Sequence, residues 1–159
     1  MIFPKSWHNH IKGQAMVEMA FVLSVLVLLA FGITEFGRAM YTKNTITNAA
    51  RAGARQAVVT PGLTNTSNAA LTLTGNNCTY SNPSGENLVL QAVCSSLYSG
   101  INKSNVRVTI SGPNPTATSG DTITVTVTCN FASVVPRLFG PGAIPFPSTL
   151  TGAAAMRYE

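Results

Sequence analysis

Gln14–Thr34 reads QAMVEMAFVLSVLVLLAFGIT, 21 residues with one charge, Glu18. From Met19 to Thr34, 16 consecutive positions are uncharged. At 1.5 Å per residue a helix of this length reaches ~30 Å, the thickness of a bilayer's hydrocarbon core. Phe21–Ala30 is apolar all round apart from Ser24, whereas a helix buried at the edge of a soluble core carries a single apolar stripe. The stretch therefore reads as a membrane-crossing helix. A secretory signal cleaved after Ala30-Phe31-Gly32 is a second reading, since small residues stand where such a site needs them.

Glu18 separates these readings. An ionised carboxylate costs ~2.5–3.5 kcal/mol at a bilayer's centre and less toward its edge, so it calls for a partner. The preceding stretch, MIFPKSWHNHIKG, carries Lys5 and Lys12 and no acid, and Pro4 opposes a clean helix start. Cleavage after Gly13 would create an ammonium at Gln14, about one helical turn from Glu18. The two charges could then neutralise each other within one chain or between chains packed side by side.

Composition narrows the chemistry. Only 9% of the 159 residues are charged, against roughly 25% in ordinary soluble domains, which argues against a charged disordered chain or a coiled coil. The net charge is +5, but ten Lys and Arg are too sparse for a nucleic-acid surface. His8 and His10 are the only histidines, and the acids are Glu18, Glu35, Glu86, Asp121 and Glu159. No histidine-based site, phosphate-cradling glycine loop or paired-carboxylate arrangement is present, so no enzyme, metal or cofactor is expected.

Gly13, then Gln14-Ala15-Met16-Val17-Glu18 and an apolar run, resembles the class III signal of type IV prepilins. The resemblance implies a prepilin peptidase that cuts after the glycine on the cytoplasmic side and leaves the apolar helix on the mature chain. It also implies that the glutamate at the fifth mature position aligns subunits during assembly. Gln14 stands where a methylated phenylalanine is usual, and Met19 where small Flp pilins carry tyrosine.

Glu35–Val59 continues without proline until Pro61, and the 3.6-residue period gathers Ala39, Ile46, Ala50, Gly53 and Ala57 on one stripe. Asn44, Asn48, Arg51 and Arg55 fall opposite, as a solvated face. Small residues on the stripe permit close backbone approach, most simply to the chain's own domain. Glu35 and Arg38 are spaced for a local pair worth a few tenths of a kcal/mol. Asn48-Ala49-Ala50-Arg51-Ala52-Gly53-Ala54-Arg55 is similar to the AAR-x-GAR signature of TadE-like pseudopilins of tight-adherence (Tad) systems, with Ala52 where glutamate is usual. Gly120–Thr128, Phe131, Val135-Pro136 and Ala155–Glu159 resemble them too, so the resemblance spans residues 13–59 and 120–159.

Beyond Thr60 the composition turns to Ser, Thr, Asn, Gly and Pro. Thr60–Asn68 reads as a linker. Glu86–Tyr98 reads as a helix with Leu88, Val89, Ala92, Val93, Ser96 and Leu97 on its apolar side and Gly100 as its stop. Val106, Val108 and Ile110 alternate, as do Ile123, Val125, Val127, Cys129 and Phe131, with threonines opposite the second set. Thr149–Tyr158 is a third strand candidate with Leu150, Ala154 and Met156 on one side, while 112–115 and 136–147 read as loops. The layout is α+β: a long N-terminal helix, partly transmembrane, followed by a small antiparallel sheet, as in pilins.

Cys78, Cys94 and Cys129 lack the clustering a metal needs and the base a catalytic thiol needs. In an oxidising periplasm a Cys78–Cys94 disulfide, closing a loop of about 15 residues and worth ~3 kcal/mol in the chain-entropy model, is favoured over Cys94–Cys129. Three reduced cysteines are the other reading. Lys5 and Lys12 precede the apolar run, but Arg38, Lys43, Arg51 and Arg55 follow it, so charge alone does not orient it. The leader-like site and the Ser/Thr-rich C-terminal part favour an inner-membrane protein with a periplasmic headpiece, or a surface filament.

The expected organisation is a leader peptide over 1–13, a transmembrane assembly helix over 14–34, an amphipathic extension over 35–59 and a β-rich headpiece over 60–159. The expected function is that of a filament subunit, as a minor pilin or pseudopilin. Its partners would be a prepilin peptidase, other pilin subunits and inner-membrane lipid, with no nucleic acid. The alternatives are a major filament subunit with an enlarged headpiece, and an anchored or secreted module whose loops at 60–86 or 132–148 bind a ligand.

Overall fold

A computed structural model describes residues 8–60, 63, 71–72, 86–112, 119–133 and 148–158. Helix α1 runs over His8–Val59, strand β1 over Leu71–Thr72 and helix α2 over Glu86–Ser96. A 3-10 turn at Lys103–Asn105 leads into β2 (Val106–Ser111), followed by β3 (Thr122–Asn130) and β4 (Thr149–Arg157). The chain forms two compact units, one up to Gly37 and one from Arg38 to the C-terminus. The second unit thus takes in the last part of α1 together with the sheet. Cys78, Val135, Pro136, the 136–147 segment and nearly all of 61–85 lie outside the described residues.

The α+β expectation holds. The sheet has the order β1-β2-β3-β4 and every neighbouring pair is antiparallel. The three expected strands are present, and the two-residue β1, not anticipated, pairs with β2 at one edge. Val108 lies opposite Val127, and Val125 opposite Ala154, so the apolar alternation of each strand faces the same side. That face buries Val106, Val108, Ile110, Ile123, Val125, Val127 and Cys129. The threonines of β3 occupy the other face because successive side chains of a strand point in opposite directions.

In the second unit, α1 supplies Ile46, Ala49, Ala50, Ala54 and Ala57 to this core, all without exposed surface. Asn44, Asn48, Arg51 and Arg55 are exposed. The helix stops before Pro61, whose ring disfavours helical geometry at the preceding residue. There the Thr60 hydroxyl donates to the Gln56 carbonyl at 2.7 Å.

Two glycines set how closely the layers meet. A Cβ on Gly53 would lie 2.6 Å from Val93 Cγ2 of α2 and 3.2 Å from Val125 Cγ1 of β3. A Cβ on Gly152 of β4 would lie 2.8 Å from the Thr47 nitrogen and 2.9 Å from the Ile46 carbonyl carbon, both α1 backbone. These contacts leave no room for any side chain.

The buried face of α2 differs from the expected one. Val89, Leu90, Val93, Cys94 and Leu97 are buried, whereas Leu88 is 49% exposed and Ala92 and Ser96 are only partly covered. Val89, Val93 and Leu97 belong to both faces, and apolar residues at 88, 90 and 92 leave either flank open to burial; the core takes the flank with Leu90 and Cys94. Helix α2 also ends at Ser96 rather than Tyr98. Within the stretch expected to be linker, Thr60 and Leu63 are buried in the headpiece core.

Candidate functional site

In the first unit, α1 carries an apolar surface that the chain leaves uncovered. From Gly13 onward α1 contains a segment long and apolar enough to cross a membrane, with a mean hydropathy of 2.5 over an 18-residue window and none of that window buried. Met16 is 76% exposed and Phe21 72%, and Leu23, Leu26 and Phe31 are also more than half exposed. The few hydroxyls in this stretch are satisfied within the helix. Ser24 Oγ donates to the Ala20 carbonyl and Thr34 Oγ1 to the Ala30 carbonyl, both at 2.8 Å. Such bonds remove the cost of taking a hydroxyl into hydrocarbon.

Gly13, Gln14 and Glu18 lie on this helix and are exposed. An added Cβ at Gly13, Gly32 or Gly37 would meet nothing within 4 Å. Glu35 is buried, at 5% exposure, and is engaged in an interaction.

The second unit holds the sequence-selected packing residues Ile46, Ala50, Gly53 and Ala57, all in the buried core. The stripe also includes Ala49 and Ala54, which the 3.6-residue reading left out. Cys94 is buried on α2. Cys129 is a free thiol buried on β3, and that burial pushes its pKa up. Among the described residues no group of three or more His, Cys, Asp or Glu side chains could hold a metal ion.

The unit also carries a groove of about 510 Å³ that sequence reading did not single out. Tyr41 and Tyr98 form one wall, packed edge to face with ring centroids 5.4 Å apart. Gly100 permits this, because a Cβ there would collide with the Tyr98 ring. On another side the Arg38 guanidinium carbon lies 4.9 Å from the centroid of the Phe131 ring, and Nη2 donates to the Ala132 carbonyl at 2.6 Å. Asn105 and Asn130 also line the groove. It is built from α1, the segment after α2 and the end of β3, which are remote in sequence, so no local spacing could have shown it.

At the opposite end of β3, Gly120 adopts φ 95°, a left-handed conformation favouring glycine. Its N–H donates to the Tyr158 carbonyl, whose own N–H donates to the Asp121 carbonyl, both at 2.7 Å. Two residues thus face one, as in a β-bulge. The Arg157 Nε–H donates to the Gly120 carbonyl at 2.8 Å and holds the bulge. On the sheet's β4 edge, the Lys43 ammonium donates to the Thr151 carbonyl.

Residues 13–55 match the family model described as TadE-like protein. The match opens on Gly13, covers the AAR-x-GAR-like stretch and ends within α1, so it includes none of the sheet. No curated protein and no solved structure matches the chain.

Proposed function

We propose, from the TadE-like similarity of residues 13–55, that the chain is a structural subunit of a Tad or type IV-like pilus or secretion filament, cleaved by a prepilin peptidase after Gly13 and assembled through α1. The family similarity by itself suggests a Tad pilus-associated subunit that meets other pilin subunits. With the apolar helix, it also suggests membrane anchoring or a place in a surface filament. One observation carries the finer reading: the apolar window of α1, which holds no buried residue, lies within the helix that the family match covers from Gly13, and Glu18 is the sole charge in the first 21 positions after Gly13. A helix of that kind needs lipid or other helices around it.

In this reading the apolar residues of α1 pack laterally, and Glu18 meets the ammonium of Gln14 on its own or a neighbouring chain. A charge sunk in lipid is tolerated only where such a partner stands, which fixes the axial register. The headpiece faces the periplasm, and the chain acts as a minor pilin or pseudopilin and carries out no catalysis. A role in adhesion or secretion would belong to the assembled filament.

The headpiece is closed by a Cys78–Cys94 disulfide. Supporting this pairing, Cys94 is disulfide-bonded and Cys129 is the free thiol, and the chain has three cysteines.

The Glu18→Ala variant tests the assembly role. It is cleaved like the wild type but enters sheared filament fractions at well under half the wild-type amount. Wild-type incorporation of this variant would remove Glu18 from the mechanism.

A further inference from the structure

We propose that the headpiece groove is a binding site for a neutral oligosaccharide. The proposal is independent of filament assembly, because every residue that forms the groove belongs to the second unit.

The volume of about 510 Å³ lies within the ~300–1,000 Å³ typical of small-ligand sites. Tyr41 is 53% exposed and Tyr98 50%, so each ring is held by the other while keeping half its surface open. A tyrosine ring presents an apolar face with a polar tip, which matches the C–H face and hydroxyl rim of a pyranose. Gly100 leaves room for the Tyr98 ring and the edge-to-face contact with Tyr41 positions it, so the platform stands without a ligand.

The polar groups fit the same class. Asn102 uses its Oδ1 to accept from the Ser104 N–H at 3.1 Å and so fixes the turn beside the groove. Among the described residues the side-chain amides of Asn105 and Asn130 have no hydrogen-bond partner, and each can donate and accept at once toward adjacent hydroxyls. Charge excludes the competing classes. Among the described residues no acid lines the groove, and the one cation that does, Arg38, engages the Ala132 carbonyl and the Phe131 ring. A nucleic acid or a phosphorylated ligand needs several uncommitted cations, and a cationic ligand needs a carboxylate. An uncharged polyhydroxylated ligand requires neither.

The test titrates the full chain, in a zwitterionic detergent without sugar groups, with chitotriose, maltotriose and cellotriose, followed by amide and tyrosine-ring NMR shifts. At least one trisaccharide binds saturably and moves the resonances of Tyr41, Tyr98 and Asn105. Tyr98→Ala and Asn105→Ala each weaken that binding about tenfold, the equivalent of one lost contact. Tyr98→Phe, which keeps the ring, weakens it less, and Leu88→Ala, outside the groove, leaves it unchanged. Tyr98→Phe retains the wild-type melting temperature, and Tyr98→Ala still unfolds cooperatively at a melting temperature a few degrees lower, since half the ring is buried against Tyr41. No saturable binding by any of the three sugars overturns the proposal, as does binding that Tyr98→Ala and Asn105→Ala leave intact. Preferential binding of an uncharged Gly-Ser-Thr peptide overturns it as well.

Discussion

The two units use small residues in opposite ways. In the first, Gly13, Gly32 and Gly37 have open space around them, and the large side chains are exposed along α1. In the second, Gly53 and Gly152 are pressed against Val93 and the α1 backbone, and the same helix buries alanines without exposed surface. One continuous α-helix therefore serves two environments. Up to Gly37 it presents bulk to whatever surrounds it. From Ala49 to Ala57 its buried side is alanine and glycine, so that a sheet and a second helix can close over it. The described core of the headpiece is buried within one chain, while the apolar window of the first unit has no buried residue.

Gly152→Val is the most severe way to break this contrast. The new side chain meets helix backbone at 2.8–2.9 Å, which cannot rotate aside, so the cost goes well beyond the ~1–3 kcal/mol of overpacking against movable side chains and outweighs a single core truncation. Thermal unfolding of the headpiece moves down by several degrees or folding fails, whereas Gly37→Val leaves the headpiece transition in place. Equal melts for the two variants would mean that β4 does not lie against α1 as described.

A pair of leucines sharpens the comparison within α2. Leu90 is 4% exposed and Leu88 49%. Leu90→Ala costs about 2–5 kcal/mol by transfer and cavity, while Leu88→Ala stays near 0.5 kcal/mol. Denaturant midpoints of the two variants check this, and a reversed order would put the opposite face of α2 on the core.

Cys129 gives the smallest effect. Burial raises its thiol pKa, so the unfolded chain releases this proton at lower pH than the folded one. Its contribution to stability is whole below the ordinary thiol range and is lost as pH rises through that range toward the folded value. Between about pH 8 and about pH 10 the wild type loses more stability than Cys129→Ala, read as the difference in denaturant midpoint. A steeper loss in the variant would reverse the sign of the linkage.

The parts legible in the sequence are those governed by local period. The alternation from Ile123 to Cys129 gave β3 its buried face, because threonines on the other side leave no second choice. The stripe at Ile46, Ala50 and Ala57 emerged from the same logic on α1. Local period failed where several faces were apolar, as on α2, and where only two residues pair, as in β1. The need for Gly152 is set by the backbone of Thr47, far away in the chain, and no local pattern registers it. The groove was hidden for the same reason: Tyr41, Tyr98 and Asn130 share no spacing that sequence could register. The leader site differs from all of these, since its reading rests on Gly13 and Glu18 alone and on no packing at all.

The most direct measurement is the intact mass, with N-terminal sequencing, of the chain extracted from membranes of cells that contain an active prepilin peptidase. A mature terminus at Gln14 is the predicted result. A chain that still begins at Met1, or one that begins at Ile33, would contradict the account.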